Sequence, residues 1–204
     1  VQGDVIAVPL TPEDLLTDQE RAVRLMHRAV KVAERTGPAV DVVGLGSLCA
    51  VVGGRGAALQ ERLDIPVTTG GAATVWTMFS NAIQANPHRE PMGVLGSSSP
   101  VGKALVKLLN AQRVPLLVDS KKSIRGLSGD LQVLEGSAIA ETQQWIVGCG
   151  PTGPMFGADV LQPSATVLDV ALPHSFSPAD KPRKDIRTFF AERMTMPDEW
   201  NRGL

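Results

Sequence analysis

The sequence predicts an α/β fold built around a parallel sheet. Apolar runs bounded by Gly and Pro alternate with segments of helical periodicity, and a Gly/Ser loop follows one of these runs directly. Continuous apolar runs are typical of parallel strands that are buried on both faces. The length of 204 residues suggests one domain or two compact lobes. We place the lobe boundary near residues 86–91, "NPHREP".

The predicted N-terminal α/β lobe covers residues 1–88 and would bind the substrate. Residues 4–9, "DVIAVP", predict a short buried strand. Thr11 is the expected N-cap of a single helix that runs from Pro12 to about Arg35, since apolar residues recur there at helical spacing. The remaining predicted elements are strands at 39–47 and 65–71, a helix at 57–62 and an interlobe helix at 72–85.

The predicted second lobe covers residues 89–178. Its expected elements are strands at 92–96, 114–119, 130–136, 143–150 and 165–172, with a helix at 101–112. For residues 179–204 we predict a C-terminal tail with a loop and a final helix.

The composition excludes several classes of protein. Hydrophobic residues make up 43% and charged residues 20%, with a net charge of −1, which gives no basic field for nucleic acid. We expect no membrane span and no secretory signal. Two distant cysteines make no disulfide framework, so the expected location is a reducing cytoplasm. The two cysteines and three histidines lack metal-ligand spacing, so we expect no metal site. The absence of tyrosine excludes a tyrosine acid or base.

The stretch "MGVLGSSSPVGKAL" (92–105) runs from a strand through a loop into a helix and raises the question of a phosphate site. A P-loop requires four residues between its glycines and a Ser or Thr after its lysine. Here five residues separate Gly96 from Gly102, and Ala104 follows Lys103. We therefore reject an ATP-binding P-loop.

A dinucleotide fits this loop better. Gly96 would form the tight turn, Gly102 would allow the close approach of helix and strand, and the helix N-terminus would face the pyrophosphate. Asp119 ends the next strand at the distance expected for a ribose-binding acid. Ser99 replaces the central glycine, so its side chain either crowds the phosphate or offers a hydroxyl contact. The alternative is a Gly/Ser turn that binds no ligand.

The second lobe resembles the cofactor lobe of methylenetetrahydrofolate dehydrogenases. The segments "VLGSSSPVGKAL", "LLVDSKK", "WIVGCGPTG" and "ATVLDVALP" occur in that family's order. The matching residues are Gly96, Ser98, Val101, Gly102, Ser120, Lys121 and Asp169. Ser97 departs from the family, which has Arg there. Together with Ser97, Ser99, Asp119 and Gly148, these residues form the expected cofactor site.

The chain as a whole, over roughly residues 4–175, is similar to long-chain acyl-(acyl-carrier-protein) reductases and related amino-acid dehydrogenases. "VIAVPLTPEDLL" and "VTTGGAATVWTMFSNAI" carry this resemblance in the first lobe. It implies an amino-acid-dehydrogenase-like architecture with a Rossmann-type second lobe and a nicotinamide cofactor. The reductases' acyl-accepting Cys is absent, since Ser164 and Ala165 stand there. The folate enzymes' Tyr and Lys are also unmatched.

Three residues are candidates for catalysis. Cys149, in "VGCGPTG", ends a strand and could accept an acyl group as a thiolate, although free Cys is more often buried and structural. His174 could donate a proton, or be a surface loop residue. Thr69 could orient a carbonyl, or simply cap the helix that follows.

The sequence therefore favours an NAD(P)H-dependent oxidoreductase that reduces an acyl thioester or related carbonyl to an aldehyde. The substrate would be a small molecule or carrier-bound, and the protein could be a homo-oligomer. Asp119 favours NAD(H), whereas Ser120, Lys121 and Lys122 favour NADP(H), towards which both resemblances lean. Two alternatives remain: a dehydrogenase of the same fold acting on a one-carbon pterin or an amino or hydroxy acid, and a non-catalytic nucleotide-binding or scaffold domain.

Overall fold

The computed structural model describes residues 5–37, 39–150, 155–171, 174–178 and 183–190. The chain divides into two compact units, one up to Gly71 and one from Ala72 onward. None of the described helices is both long and apolar enough to cross a membrane.

The first unit is mostly helical, with one pair of short parallel strands. Its elements are α1 (Pro12–Thr17), α2 (Gln19–Thr36), β1 (Val43–Gly44), a 3₁₀ helix (Ser47–Val51), α3 (Val52–Arg55), α4 (Ala57–Gln60) and β2 (Val67–Thr68), with β1 parallel to β2. Thr11 caps α1 and forms a capping box with Asp14, as the sequence predicts. The buried core residues come from α1, α2, α3, α4 and the loops beside them: Leu15, Ala22, Val23, Met26, Val30, Leu45, Val52, Leu59 and Leu63.

Two predictions for the first unit are wrong. The expected buried strand at 4–9 is absent from its described part, residues 5–9, where Val5 is 99% exposed. The single helix expected from Pro12 to Arg35 is two helices. Asp18 breaks it with non-helical φ and ψ of −119° and 67°, and its side chain accepts a hydrogen bond from the Arg21 N–H to cap α2.

The second unit is a three-layer α/β structure. Its elements are α5 (Gly71–Ala85), β3 (Met92–Leu95), α6 (Pro100–Ala111), β4 (Leu116–Val118), β5 (Leu131–Val133), α7 (Gly136–Thr142), β6 (Trp145–Gly148), β7 (Phe156–Gly157), a 3₁₀ helix (Ala158–Val160), β8 (Thr166–Asp169), β9 (Phe176–Ser177) and β10 (Arg187–Phe190). Six of these strands form one parallel sheet in the order β10-β8-β6-β3-β4-β5, and β7 pairs with β9 separately. This order is that of the doubly wound Rossmann fold.

Alternate residues of the strands pack on opposite faces of this sheet. Val94 and Val147 join a core with α5 and α6, which contribute Met78, Ala82, Leu105, Val106 and Leu109. Their neighbours Leu95 and Ile146 join a second core with Ile139 and Ala140 of α7. Each central strand is therefore buried on both faces, which explains why these strands appear as continuous apolar runs.

The structure differs from the predicted lobe boundaries at both ends of the Rossmann unit. The helix predicted to join the lobes packs into the sheet core of the second unit, so the division falls before it rather than at residues 86–91. Within the predicted helical tail, Arg187–Phe190 form the strand β10, paired with β8. Residues 179–182 and 191–204 of that tail lie outside the described residues.

Candidate functional site

The glycine loop between β3 and α6 lies at the carboxyl edge of the sheet, where open α/β folds bind their ligands. Gly96 has φ +70°, and a Cβ there would lie 2.6 Å from the Cys149 carbonyl carbon and against the Gly150 backbone. At Gly102 a Cβ would lie 2.8 Å from the Ser97 Cα and against the Gly96 carbonyl oxygen. The first glycine thus serves the turn, and the last one allows α6 to pack closely on the loop that follows β3.

Ser99 is the N-cap of α6. Its φ and ψ are −65° and 160°, and its Oγ accepts a hydrogen bond from the Gly102 N–H at 2.9 Å, while Pro100 begins the helix. Ser99, which stands at the position of the central glycine, therefore has a local role. Its side chain accepts a hydrogen bond from one of the free N–H groups of the first turn.

Asp119, at the end of β4, does not present a free carboxylate. Its Oδ2 accepts from the Gly96 N–H at 2.6 Å, and its Oδ1 accepts from the Ser97 N–H at 2.9 Å and from the Ser97 hydroxyl. Ser97 is fully buried. The predicted ribose-binding acid is thus engaged by the loop itself.

Some donors of the loop remain for a ligand. Within the described parts of the chain, the N–H groups of Ser98 and Val101 have no hydrogen-bond acceptor, and the Ser98 side chain is exposed. Ser98 lies just before α6 and Val101 lies in its first turn, where the helix dipole favours an anion. These two N–H groups and the Ser98 hydroxyl are donors of the kind that phosphate oxygens accept from.

A tight turn follows Asp119 and carries two exposed lysines. The Ser120 carbonyl accepts from the Ser123 N–H and from its hydroxyl, and the Ser120 Oγ accepts from the Lys122 N–H at 3.3 Å. Lys121 and Lys122 occupy the exposed middle of this turn. Two positive charges therefore lie directly beyond the carboxyl end of β4.

Asp169 and Gly148 stand at paired positions of β8 and β6 and fulfil a structural role. The Asp169 carboxylate is buried and accepts from the Ala171 N–H, the Ser175 N–H and the Ser175 hydroxyl at 2.9, 2.7 and 3.1 Å. A Cβ on Gly148 would lie 2.5 Å from Asp169 Oδ1. Three acceptor positions of the Asp169 carboxylate are thus used inside the protein. The sequence did not identify Ser175 as a donor to this carboxylate.

Cys149 lies at the end of β6 and is 6% exposed. Burial, with smaller contributions from the charges of Asp169 and Asp119, raises the pKa of its thiol from 9.0 to about 12. The thiol is neutral near pH 7, so the environment opposes the nucleophilic thiolate that we considered from the sequence.

The other two catalytic candidates belong to different units. Thr69 is half-buried in the first unit, directly after β2, where the neighbouring Thr68 Oγ1 accepts from the Gly70 N–H. His174 is half-buried in the second unit, next to Ser175. Residues 172–173, which precede it, lie outside the described residues.

Two cavities of the second unit lie away from the glycine loop. One, of about 500 Å³, is at the amino ends of the strands, where the Trp145 indole N–H donates to Glu90 at 2.8 Å. The other, of about 540 Å³, lies beside Arg113 and Asp130. We place the candidate site at the carboxyl edge, since ligands of open α/β sheets bind there. No group of three metal-ligating side chains occurs among the described residues.

No family model matches the chain. The chain is 26% identical over 203 residues to "Aminotransferase PigE" from Serratia sp. (strain ATCC 39006), with 90% of this chain and 23% of the relative covered. It therefore spans about a quarter of that relative's length.

Several solved structures are similar to part of this chain. One is a protein assigned as a malic enzyme (malate oxidoreductase), with TM-score 0.43, 16% identity, and 78% of this chain and 48% of that one covered. Another is the NAD complex of a D-isomer specific 2-hydroxyacid dehydrogenase from Lactobacillus delbrueckii ssp. bulgaricus, with TM-score 0.37, 10% identity, and 72% and 53% covered. The chain spans about half the length of these structures.

Proposed function

We propose that this protein is an NAD(P)H-dependent oxidoreductase that reduces a carbonyl compound. The observation that carries the proposal is the Gly96–Gly102 loop, which joins the central strand β3 to α6 at the carboxyl edge of a Rossmann-ordered sheet. Dinucleotides bind at this place in doubly wound folds, with the pyrophosphate at the helix N-terminus.

The residues that would hold the cofactor are those with free donors and positive charge. The N–H groups of Ser98 and Val101 would bind the pyrophosphate, and Lys121 and Lys122 would favour a 2′-phosphate over a free hydroxyl. The proposed cofactor is therefore NADP(H), with NAD(H) as the alternative. When bound, it supplies the hydride of the reduction.

We propose an acyl thioester or related carbonyl as the substrate and an aldehyde as the product. The high pKa of Cys149 favours reduction without an acyl-cysteine intermediate. In this proposal His174, which lies in the same unit as the glycine loop, donates the proton. A one-carbon pterin or an amino or hydroxy acid is the alternative substrate, and a non-catalytic nucleotide-binding domain is the alternative function.

Cofactor titration followed by intrinsic fluorescence tests this proposal. We expect micromolar binding of NADPH and weaker binding of NADH. The variant Ser98→Asp places a carboxylate in the phosphate site on an exposed side chain, and it should weaken binding at least about tenfold because like charges repel. Ser128→Asp makes the same change at another exposed serine and should bind like the wild type.

Two results would count against the proposal. If the wild type binds neither dinucleotide, the oxidoreductase function fails and the scaffold alternative is favoured. If both serine variants bind as the wild type does, the dinucleotide occupies another site.

A second candidate follows from the likeness to "Aminotransferase PigE". In this alternative the domain works beside an aminotransferase, which would convert an aldehyde product to an amine. An assay that adds an aminotransferase and an amino donor to the reductase reaction would detect the amine, and the reaction without the reductase is its control.

A further inference from the structure

Asp119 is the least expected feature of the candidate site. It stands where a dinucleotide-binding fold is expected to have its ribose ligand. An ionised carboxylate offers about four lone-pair positions. Three of them are used, all by one segment: the Gly96 N–H, the Ser97 N–H and the Ser97 hydroxyl.

The turn itself explains this arrangement. Successive N–H groups in a turn that contains a left-handed residue converge on one point and form a concave anion site. Gly96, with φ +70°, supplies that conformation. The anion bound by the two converging N–H groups is the chain's own carboxylate.

Burial makes this arrangement costly to undo. The side chain of Ser97 is fully buried, so its hydroxyl needs an acceptor inside the protein. If Asp119 turned outward to a ribose, the Ser97 hydroxyl and two N–H groups would lose their acceptor together. Hydrogen bonds to a charged group are also about twice as strong as neutral ones.

We infer that Asp119 is a positioning residue that holds the glycine loop in its phosphate-binding shape, and that it does not bind the ribose. The phosphate contacts would then be made by Ser98 and Val101, whose N–H groups are not hydrogen-bonded to the Asp119 carboxylate. The effects that we expect on ligand binding rest on the proposed dinucleotide function. The role of Asp119 in holding the loop does not depend on that function.

Amide hydrogen exchange, read residue by residue by NMR, tests the loop without any ligand. We expect Asp119→Asn to speed exchange at Gly96 and Ser97 by about tenfold or more, because the amide oxygen cannot replace both carboxylate oxygens. Ser97→Ala should change it in the same direction by less. Asp130→Asn, at an exposed carboxylate directly before β5, is the matched control and should leave both amides unchanged. Unchanged exchange in Asp119→Asn and Ser97→Ala would overturn the inference.

Binding of pyrophosphate, which has no ribose, separates the two roles of Asp119. We expect Asp119→Asn to weaken pyrophosphate, NADH and NADPH by the same factor, since all three depend on the loop. A ribose ligand would give a different result: weaker dinucleotides with pyrophosphate unchanged or tighter, which would overturn the inference. If the wild type binds none of the three, the proposed function fails, while the exchange experiment still decides the role of Asp119.

Discussion

Carboxylates at the carboxyl edge of the sheet hold loops in this protein. Asp119 accepts three hydrogen bonds from the loop after β3, and Asp169 accepts three from the segment that follows β8. Their positions are visible in the sequence, because each ends an apolar run. Their partners are not visible, because they lie on another strand's loop or on a later loop, and no local pattern records such contacts.

Cys149 gives a prediction at the residue scale. Because the pKa of its thiol is about 12, only about one molecule in ten thousand carries the thiolate at pH 8. In a Cys49→Ser variant, which leaves Cys149 as the single thiol, we expect negligible reaction with iodoacetamide in the folded state and complete reaction in denaturant. Rapid labelling of the folded protein at pH 8 would contradict the neutral buried thiol.

The same pKa sets the direction of a pH effect. The folded thiol keeps its proton to about pH 12, while the unfolded one loses it near 9, so stability is present below pH 9 and falls as the pH rises towards 12. The slope from this group approaches about 1.4 kcal/mol per pH unit. The contribution of Cys149 is measured as the difference between the wild type and Cys149→Ala in how the free energy of unfolding changes with pH over this range.

At the scale of elements, the N-terminus of α6 depends on the Ser99 side chain. Ser99→Ala removes the acceptor of the Gly102 N–H and should lower the free energy of unfolding by about 1 kcal/mol. Ser99→Gly restores the glycine of the usual dinucleotide loop and should lower the free energy of unfolding by only a few tenths of a kcal/mol. Chemical denaturation measures both. An unchanged free energy of unfolding in Ser99→Ala would mean that the hydroxyl does not act as a cap.

Elements with strong local signals could be predicted, and those set by tertiary context could not. The N-cap at Thr11, the helix at 72–85 and the strands of the central sheet follow from capping residues, helical periodicity and apolar runs. The break at Asp18 was missed because the apolar spacing continues across it. β10 was missed because four residues, "RTFF", beside a basic cluster give no strand signal without their partner β8.

At the scale of the whole molecule, the place of α5 leads to a prediction about fragments. Met78 and Ala82 of α5 are 2% and 0% exposed in the core that covers one face of the sheet. A fragment of residues 70–204 should therefore unfold cooperatively. A fragment of residues 89–204, cut at the boundary that the sequence suggests, loses that apolar surface and should not.

Circular dichroism and thermal unfolding of the two fragments measure this difference. The pair is its own control, since the fragments differ only by residues 70–88. Cooperative unfolding of the shorter fragment would show that α5 is dispensable to the sheet, and the boundary near residues 86–91 would then be the better one.

The strand order also matters for folding during synthesis. Of the six-stranded sheet, β3 is synthesised first. β4 and β5 then extend the sheet on one side, and β6, β8 and β10 extend it on the other. Every new strand meets a free edge, and none has to enter between two strands that have already paired. The sheet can therefore assemble outward from β3 without separating strands that have already paired.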